Sequence, residues 1–122
     1  PEPVRERKRR LRIPVSQQIE SELPALRESI EGLGASRDPA AITTVDATIM
    51  RLFDRAVDAL ETATGEERER LKLLAARLES APEGIDDVRA GIRGRNQVTL
   101  QRGIESLLLM VRPVELPSIE PP

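Results

Sequence analysis

The chain has 122 residues, enough for one hydrophobic core and too few for two of ordinary size. It contains no His, Cys, Trp or Tyr and a single Phe, Phe53, which excludes disulfides, thiolate zinc sites, imidazole catalysis and aromatic platforms for stacked bases. The formal net charge of -2 conceals a split: residues 1–12 carry six cations (Arg5, Arg7, Lys8, Arg9, Arg10, Arg12) against Glu2 and Glu6, leaving 13 basic and 19 acidic groups in the remainder.

Seven of the ten prolines lie in residues 1–15 and 113–122. Proline has no amide donor and turns the preceding residue away from helix, so both ends are predicted to be extended: a basic arm over 1–15 and a proline-rich tail over 113–122. Leu11, Ile13 and Val15 alternate with polar residues or proline, as do Val114 and Leu116, a pattern of short strands or arms lying on the body. Disorder is the competing reading for the first eight residues. The longest apolar run, Leu107 to Val111, is five residues, far below the roughly 20 a membrane span needs. A soluble, cytoplasmic chain is therefore the default expectation. Because it begins at Pro1 and not at Met, it is expected to be a piece of a longer protein.

Residues 16–112 read as an all-α domain, an antiparallel bundle of four or five helices. Ile19, Leu23, Leu26, Ile30 and Leu33 fall on one helical stripe. Ser16 or Ser21 is the expected cap; Pro24 belongs to the first turn in the second case and kinks the helix in the first. Gly32 and Gly34 are the expected stop. Asp38 then Pro39 opens a second helix, with a stripe from Ile42 through Val45, Ile49, Leu52, Ala56 and Ala59 to Ala63. It is expected to end near Thr64, where the Thr64–Glu67 spacing of a capping box starts a third helix. That helix carries Leu71, Leu74 and Leu78. Pro82, together with a Ser80–Glu83 capping-box spacing, predicts a fresh short helix from Ala81 to Ile92 over a single bent one. Asn96 is the expected cap of a last helix on Leu100, Ile104, Leu107 and Val111, closed by Pro113.

The last helix is apolar around most of its circumference at Leu107 to Val111, which suits the centre of a bundle or a face shared with another chain. Leu107, Leu108, Met110 and Val111 are the expected protein interface. Glycine inside a helix costs about 1 kcal/mol relative to alanine. Close helix approach is the expected reason for Gly91 and Gly103, and helix ends or loops for Gly84 and Gly94.

The basic run Arg5, Arg7, Lys8, Arg9, Arg10 and Arg12 is the sharpest candidate site. Arginine forks take phosphates bidentately, and six cations in eight residues can displace counterions from nucleic acid or dock on an anionic surface. A solvated arm, self-docking on the acidic body, or dibasic processing are the competing readings. The stretch Arg7 to Val15 resembles the opening segment of PilZ domains, in which an arginine motif precedes a barrel and contacts cyclic-di-GMP, with Arg5 and Arg9 at that family's arginine spacing. The resemblance implies a cyclic dinucleotide ligand. It covers about a dozen residues; helical patterns follow where the family has strands, and at its second motif Ser29 and Gly32 are matched but Arg27 stands in place of the acid or amide.

On the second helix Asp54, Asp58 and Glu61 share a face. With no His the di-iron pattern of helical bundles is absent, and Arg51 and Arg55 are placed to pair with Asp54 and Asp58. Arg89, Arg93, Arg95 and Arg102 form a looser basic group around Gly94 and Asn96, whose glycines match neither a P-loop nor a dinucleotide fingerprint. Lys8 and Lys72 are the only lysines, and no constellation supports an enzyme. No metal or cofactor is expected. The function expected is a noncatalytic protein-protein interaction or oligomerisation module, with the chain itself or another protein as partner. The alternative is binding of nucleic acid or another phosphate-bearing ligand by the N-terminal arginines.

Overall fold

A computed structural model describes residues 13–113. The cluster Arg5, Arg7, Lys8, Arg9, Arg10 and Arg12 and the tail beyond Pro113 lie outside the described residues, as do the extended arms expected there, save that Val15, expected in the arm, is helical and directly follows Pro14 at the N-cap. The described residues form five α-helices and no strand: α1 (Val15–Ser36), α2 (Pro39–Leu60), α3 (Gly65–Glu79), α4 (Ala81–Arg93) and α5 (Gln97–Met110). None of these helices is long and apolar enough to cross a membrane.

The start of α1 is capped from a distance. Its N-cap is Pro14, whose side chain has no acceptor for the orphan amides of the first turn. Glu67 of α3 supplies one: the Ser16 amide donates to its Oε2 at 3.1 Å, and the Ser16 hydroxyl donates to its Oε1. A carboxylate is also the charge that a helix N-terminus favours. Neither Ser16 nor Ser21 is therefore the cap; both lie inside the helix. Pro24 lies within α1 without ending it. It is exposed, so the Glu20 carbonyl that loses its intrahelical donor does so on the solvent side. The helix also runs through Gly32 and Gly34, the expected stop, to Ser36. Arg37 ends it in the left-handed region (φ 49°), its amide donating to the Leu33 carbonyl at 3.0 Å. Gly34 serves packing instead: a Cβ there would stand 3.2 Å from Ile104 Cδ1 of α5.

The opening of α2 is as expected, with Asp38 Oδ1 accepting from the Ala40 amide at 3.0 Å and Pro39 in the first turn. Its regular part ends at Leu60, the Ala63 amide still donating to the Ala59 carbonyl at 3.0 Å, so the end lies near Thr64 as expected, and Arg68 of α3 donates from Nη1 to the Leu60 carbonyl at 2.9 Å. Thr64 precedes α3 with extended backbone but its side chain makes no capping bond. The Thr64–Glu67 capping box does not form, since the Glu67 carboxylate is committed to α1. Helices α3 and α4 are separate, as the Pro82 break predicts, and meet at Ser80. The Ser80–Glu83 box is likewise absent: Ser80 has helical backbone and its hydroxyl donates to the Arg77 carbonyl at 2.6 Å.

Arg95 (φ 51°) occupies the left-handed position after α4 that glycine fills most readily. Its amide donates to the Ile92 carbonyl at 3.3 Å and that of Asn96 to the Gly91 carbonyl at 2.8 Å, the paired bonds of a Schellman turn. Asn96 Oδ1 then accepts from the Val98 and Thr99 amides, both at 3.1 Å, and α5 begins.

The core runs through all five helices, with Ile19, Ile30, Leu33, Leu52, Val88 and Leu71 among its fully enclosed side chains. Gln18 meets Arg55 and Glu22 meets Arg51, so α1 and α2 run in opposite directions. So do α4 and α5, where Gly84 meets Leu107 and Gly91 meets Leu100. Their backbones approach closely at the glycines. A Cβ on Gly91 would stand 2.5 Å from the Leu100 backbone nitrogen, and one on Gly103 2.8 Å from both the Gly84 carbonyl oxygen and the Val88 nitrogen. Close approach thus explains Gly91 and Gly103 as expected. Gly84 is a correction: it is buried inside α4, not at an end or in a loop, and faces Leu107.

Candidate functional site

The last turn of α5 passes across the middle of α1 and leaves a groove between them. One half, about 320 Å³, is floored by Leu23, Pro24 and Val111; the other, about 580 Å³, is floored by Leu108 and Leu109. Arg27 and Pro113 border both halves. Charged side chains on its walls pair with neighbours. Arg27 Nε lies 3.3 Å from Glu31, and Arg70 lies 3.7 Å from Glu20 and 3.6 Å from Glu66. Arg77 Nη1 donates to the carbonyls of Arg112 and Pro113, which fixes the path of the chain as it leaves α5.

Three of the four residues expected at an interface on the last helix are enclosed by their own chain: Leu107 is 1%, Met110 5% and Val111 5% exposed. The reason is position. Helix α5 lies against both α4 and α1, and the close glycine contact with α4 leaves little of its circumference open. Leu108 is half-buried, and Leu109, which the sequence reading passed over, is 59% exposed. Its signal was phase: Leu109 falls off the stripe set by Leu100, Ile104, Leu107 and Val111.

Asp54, Asp58 and Glu61 do not assemble into a metal-binding group, and no cluster of that kind occurs among the described residues. The expected pairing of Arg51 and Arg55 with Asp54 and Asp58 is replaced by pairing across helices. Arg51 Nη2 lies 2.6 Å from Glu22 Oε1 and Arg55 Nη1 lies 3.5 Å from Glu22 Oε2, while Arg55 also donates to Gln18. The hydrogen bond from Arg51 holds the Glu22 carboxyl below its ordinary pKa, against the opposing effect of partial burial and with added attraction from both guanidinia. The same hydrogen bond raises Arg51. No family model, curated protein or solved structure matches the chain.

Proposed function

We propose that this chain is a noncatalytic interaction module that associates with a second copy of itself through the groove between α1 and the end of α5. On this reading the proline-rich segments on either side of the bundle tether it to its neighbours. The observation that carries the reading is Leu109, more than half exposed beside Leu108 in a concave surface bordered by Arg27, Glu105 and Arg112, with the chain leaving α5 held by Arg77. A preformed groove loses little conformational freedom on binding, and an exposed leucine at its edge gains most from being covered. Catalysis is the weaker reading. A carboxylate acting as general base works best with its pKa raised towards neutrality, and Glu22 is shifted the other way, into an ion pair.

The test is absolute mass by light scattering across a concentration series of the full chain and of Leu109→Glu. Leu109 is exposed, so the variant keeps its helicity, and it is expected to be monomeric where the unmodified chain is dimeric. A dimer that persists in Leu109→Glu, or an unmodified chain that stays monomeric, would overturn the reading.

A further inference from the structure

We propose that the end of the bundle opposite the start of α1 binds a small phosphate-bearing ligand. Two connections meet there, the α1–α2 turn at Arg37 and the α4–α5 turn at Arg93 to Asn96. They are joined by a hydrogen bond from Arg37 Nη2 to Gln97 Oε1 at 2.6 Å. Arg37, Arg93 and Arg95 are exposed, and no carboxylate among the described residues pairs with them. The nearest acid in sequence, Asp38, has its Oδ1 on the Ala40 amide. Beside Arg93, between the first turns of α2 and the last turns of α4, lies a groove of about 330 Å³ floored by Pro39, Ile42 and Ile92, with Arg89 at its edge. Arg89 lies 3.8 Å from Asp46, which holds it at the groove wall. Guanidinia over an apolar floor suit an anion carrying a ring or a short chain.

Two details sharpen the assignment. The leading amides of α5 are taken by Asn96, so recognition falls to the guanidinia and not to a helix N-terminus. Arg37 and Arg95 both hold left-handed backbone that glycine would hold with less strain. Both positions close a helix, and the arginine side chain there projects into solvent at the end of the bundle.

The experiment is an amide NMR titration of the full chain with inorganic phosphate, adenosine monophosphate and hexyl phosphate, repeated for Arg93→Glu and Arg95→Gly. Saturable shifts are expected at Arg37, Gly94, Arg95 and Gln97. At least one of the two organic phosphates should bind tenfold or more tightly than inorganic phosphate, and which one does identifies the ring or the chain as the apolar part. Arg93→Glu should weaken binding at least tenfold. Arg95→Gly should weaken it while raising the melting temperature, a combination that a purely structural arginine would not give. Shifts confined to residues 1–12, unchanged affinity in both variants, or equal affinity for all three phosphates would overturn the proposal.

Discussion

The α1–α2 and α4–α5 hairpins have the same outline and opposite construction. Each is two helices running in opposite directions through a short connection with an arginine at positive φ. In α1–α2 the contact is made by side chains: an apolar stripe, flanked by Glu22 with Arg51 and Arg55. In α4–α5 it is made by backbone, because Gly84, Gly91 and Gly103 remove the side chains that would hold the helices apart. Side-chain contacts can repack when one partner changes, whereas backbone contacts have nothing to move. The two hairpins should therefore differ in their tolerance of substitution far more than in their burial.

The largest effect is expected from the glycine contact. Gly91→Ala places a methyl against the Leu100 backbone and should cost about 3 kcal/mol in urea denaturation. Gly32→Ala makes the same chemical change on an exposed turn of α1 where nothing lies within 4 Å of the new Cβ. It should stabilise by about 0.5–1 kcal/mol, the ordinary helix preference for alanine. Equal effects would break the contrast between the hairpins.

Next in size is the remote cap. Glu67→Ala leaves the Ser16 amide and hydroxyl without their acceptor and should cost about 1–2 kcal/mol, with faster amide exchange in the first turn of α1. Exchange that quickens only in α3 would mean that Glu67 serves its own helix. The smallest effect is at Glu22. Its pKa is lowered on folding, so the stabilisation is complete above the unfolded value, about 4.3, and is lost as pH falls through the folded one. Glu22→Gln should cost no more than about 1 kcal/mol at neutral pH, as exposed pairs do. The gap between variant and parent should shrink with added salt and close in acid.

Most of the fold was legible because it is written locally. Asp38–Pro39 and Asn96 cap the helices that follow them, and Pro82 separates α3 from α4, each through residues within three positions in sequence. What sequence reading missed was settled over long distances. Glu67 stands at capping-box spacing from Thr64, yet its carboxylate bonds a residue 51 positions away. Gly32 and Gly34 resemble a stop, yet α1 continues because Leu33 packs in the core and Gly34 admits Ile104. Apolar count along α5 cannot separate Leu109 from its neighbours, whereas its phase against Leu100, Ile104, Leu107 and Val111 does. The basic end was half visible, since Arg93 and Arg95 adjoin in sequence while Arg37 arrives through the fold.

Helix α1 is secured at one end by Glu67, 51 residues away, and at the other by Gln97, 60 residues away. Of the described helices α1 is synthesised before the others, and its two anchors arrive only with α3 and α5. Loop closure over such separations is slow relative to a contact between neighbours, whereas α4 and α5 hold everything their own interface requires. Synthesis thus delivers α1 well before either of the contacts that secure its ends.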